Sequence, residues 1–108
     1  MEQISYNDFA KIELRTAKVI SAEKLEGSTK LLVLKVEIGN EERTILAGIA
    51  EKYDTEELVG KTVIVVANLA PKEIKGMQSQ GMLLAVDGED GPVLLVPEED
   101  VPSGVVVR

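Results

Sequence analysis

The chain contains no cysteine and no histidine. The first absence removes disulfides, thiol nucleophiles and thiolate metal sites. The second removes imidazole as a general base, a metal ligand or a member of a catalytic triad. Tryptophan is also missing, and two tyrosines and one phenylalanine make up the whole aromatic complement, too few for a surface that works mainly by stacking. No apolar run approaches the roughly 20 residues of a membrane-spanning helix. Met1–Tyr6 has neither the basic cluster nor the apolar core of a signal peptide. A soluble, cytoplasmic protein is expected. The carboxylates fall mostly in turns, a short helical segment and the tail, with no nucleophile–base pair and no EF-hand spacing. No catalytic residue, metal or cofactor is therefore expected, and the chain reads as a binding module.

A basic excess is lacking too. The net charge of −7 argues at first against polyanions, whose binding depends on lysine and arginine replacing condensed counterions. The distribution alters that reading. Residues 1–86 carry 11 basic and 13 acidic side chains, and residues 87–108 carry one and six. A near-neutral body is free to present a basic face while the acidity sits in the tail.

What is present is a set of short β-type runs punctuated by turn residues, at a length of 108 residues that suits one domain. Ser5–Ile12 opens with capping residues and spaces Phe9 and Ile12 three apart, which predicts a helical turn laid against the core with Tyr6 and Phe9 as a lid. Arg15–Lys24 reads as a first strand and Leu31–Ile38 as a second. In the second, Leu32, Leu34, Val36 and Ile38 share one face, and Lys35 points outward from the other. Gly39–Glu42 is a turn into a third strand, 43–49, in which Gly48 marks a bulge or bend. Asp54–Gly60 has the cap, the first-turn acids and the glycine stop of a single short helix. A fourth strand follows at 62–67 and a fifth at 82–87.

Three strands, a short helix and two more strands are the order of an all-β, five-stranded Greek-key barrel of the OB-fold type, spanning about residues 13–87, with a C-terminal extension at about 88–108. Such barrels bind ligands on the face of strands 2 and 3, between the loops after strands 1 and 4. The second of those loops is the unusual one. Asn68–Met82 exceeds the common interstrand length roughly threefold and holds Pro71, Gly76, Gly81, Lys72, Lys75, Met77 and the polar side chains of Asn68, Gln78, Ser79 and Gln80. The tail adds two apolar runs, Val93–Val96 and Val105–Val107. They are expected in a symmetric dimer interface, the alternative being a hairpin folded back on its own barrel.

In combination, Phe9-Ala10-Lys11-Ile12-Glu13-Leu14-Arg15-Thr16, Gly27-Ser28-Thr29-Lys30-Leu31-Leu32, Ile45-Leu46-Ala47-Gly48-Ile49-Ala50, Glu57-Leu58-Val59-Gly60-Lys61, Val66-Ala67-Asn68-Leu69-Ala70-Pro71 and Gly76-Met77-Gln78-Ser79-Gln80-Gly81-Met82 give a pattern that runs nearly end to end. It resembles the tRNA-binding OB domain, which occurs as a free-standing dimer and as an appendix or small separate chain of methionyl-tRNA synthetases. The resemblance implies a homodimer that recognises the folded shape of tRNA without reading an anticodon and assists a synthetase catalytic chain. It maps binding residues onto Lys30, Lys35, Arg43, Asn68, Ser79 and Met82, with Lys72 and Lys75 as phosphate contacts. A chaperone family that binds peptides on the same dimeric barrel is the alternative it leaves open.

Overall fold

The computed structural model describes residues 1–108. In chain order the elements are α1 (Tyr6–Phe9), β1 (Leu14–Lys24), β2 (Leu32–Ile38), β3 (Glu41–Ala47), α2 (Thr55–Leu58), β4 (Thr62–Val66), β5 (Lys72–Ile74), β6 (Met77–Ser79), β7 (Met82–Leu83), β8 (Ala85–Gly88), β9 (Gly91–Leu94) and β10 (Val106–Val107). The alternation in 31–38 becomes the β2–β3 hairpin, in register from Leu32 opposite Ala47 to Ile38 opposite Glu41. Its connection is the dipeptide Gly39-Asn40, tighter than the four-residue turn expected, with Gly39 at φ 63 in the first position, where a left-handed residue matches the twist of the strands.

β1 organises the barrel because both its edges are used. Lys18–Lys24 pairs with β2, and Leu14–Lys18 pairs with β4 on the other side. A bulge between Val19 and Ser21 bends the strand where it changes partners. The sheet runs β3-β2-β1-β4-β7, and its curl turns Ala17, Val19, Leu34, Val36, Ile45 and Val63 into one core. α2 supplies Leu58, fully buried beneath the barrel. At the start of α2 the Glu57 carboxylate accepts the Asp54 N–H at 2.8 Å, satisfying an amide that the first turn leaves free. The architecture is the OB-type barrel expected, with its short helix between the third and fourth strands.

Three expectations need correction. The fifth strand is not continuous: β7 ends at Leu83, Leu84 still donates to the Ile64 carbonyl at 3.0 Å, and the chain then leaves the barrel as the separate β8–β9 hairpin. The long loop is not irregular throughout, because β5 and β6 pair as a hairpin turned by Lys75 and Gly76, both at positive φ. α1 is capped by Ser5 as read, but it buries none of its residues. Tyr6 is 79% exposed, so α1 is a rim and not a lid.

The tail packs on its own barrel. β10 pairs with the start of β1, Leu94 enters the core, and the Tyr53 hydroxyl accepts the Leu94 N–H. Thr16 ties the segment down from both chain directions: its hydroxyl donates to the Pro102 carbonyl and accepts the Val105 N–H, while its backbone pairs with Gly104 and Val105. Val86, Val93, Val96, Val105 and Val106 nevertheless remain exposed.

Candidate nucleic-acid interface

The β5–β6 hairpin lies against β3, and the way it is fastened assigns parts to the polar residues singled out above. β3 is the edge of the sheet, so its outward N–H and C=O groups need partners. They find them in Ser79 and Gln80. Leu46 N–H donates to Ser79 Oγ at 3.0 Å, Thr44 N–H donates to Gln80 Oε1 at 3.0 Å, and Gln80 N–H donates to the Thr44 carbonyl at 2.8 Å. Side chains thereby complete a barrel closure that β7 is too short to make. Ser79 is buried, and its hydroxyl hydrogen is used within the turn, on the Gly81 carbonyl. Gly81 permits the closure: a Cβ there would stand 2.9 Å from the Val66 carbonyl oxygen, at a backbone φ of +134.

Arg43 fastens both ends of the loop. Its guanidinium donates to the Ala67 carbonyl before the loop, to the Gln80 carbonyl after it at 3.3 Å, and to Glu41 at 3.1 Å. The hydrogen bond first and the positive charge second hold the Glu41 carboxyl below its ordinary value of 4.5. Register explains why Arg43 turns this way. It stands opposite Val36, a core residue, whereas Lys35 stands opposite Thr44 on the outer face. Lys35 and Arg43 therefore occupy opposite faces of the hairpin, which the alternation of sequence would have revealed. Asn68 is committed as well: its side-chain oxygen accepts the Glu13 N–H at 2.8 Å, and its amide donates to the Lys11 carbonyl.

The residues whose polar ends stay in solvent are the ones left free to meet a ligand. Lys30 and Lys72 are exposed and form no ion pair. Lys75 reaches the Gly27 carbonyl at 3.4 Å, which draws the β1–β2 loop and the hairpin together at one end of the barrel. Lys35 is exposed with Glu42 at 3.7 Å, a solvated pair worth little by itself. Met82, by spacing a candidate for the core, is 46% exposed. The acids Glu99 and Asp100 lie elsewhere, along the corner formed by Gly60–Thr62. Gln80 was not singled out as a site residue from sequence, although an amide next to Gly81 was a usable signal. Neither was Lys52, which is exposed and forms no ion pair, its stem 3.9 Å from where a Cβ on Gly91 would stand.

A lysine-bearing hairpin clamped beside the open face of an OB-type barrel is the arrangement found, and a family model described as "Putative tRNA binding domain" matches residues 14–106. The chain belongs to this tRNA-binding domain family. Methionine-tRNA ligase of Pyrococcus horikoshii is 45% identical over 108 residues, all of this chain and 15% of the ligase. That of Chlorobium phaeovibrioides is 53% identical over 106 residues, again 15% of its length. The chain thus spans about one seventh of these ligases. Among solved structures, a MetRS related protein from Pyrococcus horikoshii superposes with a TM-score of 0.93 at 44% identity, each chain wholly covered. The CsaA chaperone protein from Picrophilus torridus superposes at 0.91 with 30% identity, covering 98% of this chain and all of that one. The shared tRNA-binding domain is an OB-type module found both inside large ligases and at the length of this chain.

Proposed function

We propose that the protein binds tRNA by its folded shape, as a non-catalytic homodimer in the cytoplasm, and assists a methionyl-tRNA synthetase as an appended domain or a separate chain. The observation that carries this reading is the Lys75 hydrogen bond to the Gly27 carbonyl, which joins the hairpin bearing Lys72 and Lys75 to the β1–β2 loop bearing Lys30. Lys72, Lys75 and Lys30 contact phosphates, with Lys35 on the adjoining face. Arg43, Asn68 and Ser79 act by holding the loop in position, and Met82 presents an apolar surface to an unstacked nucleotide. Affinity is then salt-dependent and largely indifferent to sequence.

The dimer uses the apolar rim that α1 leaves open. Tyr6, Phe9 and Ile12 are exposed and form a groove with Val106 and Val107, about 380 Å³ in volume. A second copy covers such a surface most economically. The test is a salt-titrated tRNA shift assay against duplex DNA and unstructured RNA of equal length. Preferential tRNA binding with a linear log–log salt dependence supports the reading, and absence of tRNA binding by a verified dimer at low salt ends it. A second reading, a peptide-binding chaperone, is favoured by the likeness to CsaA. Peptide binding that persists in high salt, with no tRNA binding, would establish that reading instead.

A further inference from the structure

Beside Met82 lies a cleft of about 220 Å³ walled by Leu46, Ile49, Met82, Leu83 and Pro92, with Gly48 at its edge. It is smaller than the roughly 300–1,000 Å³ of sites that enclose a whole drug-sized ligand, so it suits one planar fragment of a larger molecule. Its lining is not purely apolar. Glycine lines a surface only with backbone, and the N–H and C=O of Gly48 have no hydrogen-bond partner within the chain, the neighbouring contact being Ala50 N–H to the Lys30 carbonyl. Apolar walls with a free peptide donor and acceptor match a nucleobase, which has two apolar faces and a polar edge. Two lysines are near in the fold. The Lys30 backbone carbonyl is bonded to Ala50, two residues from Gly48, and the Lys52 stem lies 3.9 Å from where a Cβ on Gly91, next to Pro92, would stand. Neither lysine forms a salt bridge, although Glu89 and Asp90 occupy the adjacent turn.

We infer that this cleft is a subsite for one unstacked base of the bound RNA, its face against Met82 and Pro92, its edge on the Gly48 peptide, and its flanking phosphates within reach of Lys30 and Lys52. The inference rests on the tRNA reading and refines it. An RNA bound mainly by shape acquires one anchoring point, and the Met82 side chain takes the part that aromatic residues play in proteins richer in them.

The experiment uses protein carrying ¹³C-methyl methionine, which yields three signals, Met1, Met77 and Met82, titrated with tRNA. The expected result is an upfield ring-current shift of the Met82 methyl with Met1 unmoved. Gly48→Val sets a branched side chain beside the Gly48 peptide without a clash, since a Cβ there meets nothing within 4 Å. It and Met82→Ala are each expected to weaken tRNA binding about tenfold while the slope of log affinity against log salt stays unchanged, because the lost contact is uncharged. Lys52→Gln is expected to lower that slope. If tRNA binds and the Met82 methyl stays in place, or both cleft variants bind within twofold of the parent, the subsite is wrong and the tRNA reading survives. If tRNA fails to bind the parent protein, both fall. A Met82 shift produced equally by an uncharged apolar peptide assigns the cleft to peptide side chains and overturns the inference.

Discussion

Ser79 shows how a polar residue in a binding loop acts through the fold. Its hydroxyl is buried and is the sole hydrogen-bond partner of the Leu46 N–H outside the ladder. Ser79→Ala leaves that donor unpaired and is expected to cost about 1–3 kcal/mol, measurable by urea unfolding. The same change is expected to weaken tRNA binding with the salt slope intact, because no charge is lost. Gly81→Ala should destabilise further, since the added Cβ meets the Val66 carbonyl at 2.9 Å and φ is +134; a melting temperature lower than that of Ser79→Ala is the expected outcome.

The Glu41–Arg43 pair carries a pH dependence whose sign follows from its direction. The Glu41 carboxyl is held below 4.5 in the folded protein, so its contribution is present in full above 4.5 and is lost as pH falls through the depressed value. An NMR titration of the Glu41 side chain should show the low midpoint, and Arg43→Gln should return it to the ordinary range. Lys35 and Arg43 were both read from sequence as ligand contacts, and the loop clamp formed by Arg43 was not. The parity of positions along two paired strands already separated them, because Arg43 falls on the side of Val36.

Among elements, the β5–β6 hairpin accounts for the working geometry. Three-residue strands such as Lys72–Ile74 and Met77–Ser79 are too short to show alternation, and only the Lys75-Gly76 dipeptide signalled a hairpin. The longer strands were legible because one face of each meets the core: the period of two in 32–38 identified β2 within one residue. The β7–β8 break escaped notice since the run Met82–Val86 is apolar throughout, and nothing local tells a strand that stays in the barrel from one that leaves it. With both hairpin lysines neutralised, Lys72→Gln/Lys75→Gln should reduce the salt slope by about 1.5 in the shift assay and leave the melting temperature nearly unaltered, because neither side chain forms an ion pair and the Lys75 hydrogen bond to Gly27, at 3.4 Å, is long and solvent-exposed. Of the site residues read from sequence, the lysines and Met82 are exposed as contacts must be. Arg43, Asn68 and Ser79 carry polar groups that a strand edge and a loop end consume, and sequence does not distinguish such a group from one waiting for a ligand.

For the molecule as a whole, the proposed dimer rests on the exposed residues of α1. Tyr6 is 79% and Phe9 39% exposed beside the groove next to β10, so on that proposal Phe9→Asp should convert dimer to monomer in sedimentation experiments with little change in far-UV dichroism. Two barrels in the proposed dimer present two hairpins. If one tRNA engages both, the monomeric variant loses affinity well beyond what a single contact explains; if affinity per barrel is unchanged, each barrel binds alone.

The hold of Thr16 on residues 102–105 also dictates when the barrel can form. β1 lies near the start of the chain, yet one of its edges is finished by Val106 and Val107. During synthesis, then, β2 and β3 emerge and pair within a few dozen residues of β1, while that edge waits for almost ninety more. Folding of such non-local topology is slow, and the ribosome enforces the order: the hairpin first, the seal last. A nascent chain stalled at residue 100 should remain open to protease at β1, and one extended past residue 108 by enough linker to clear the exit tunnel should not.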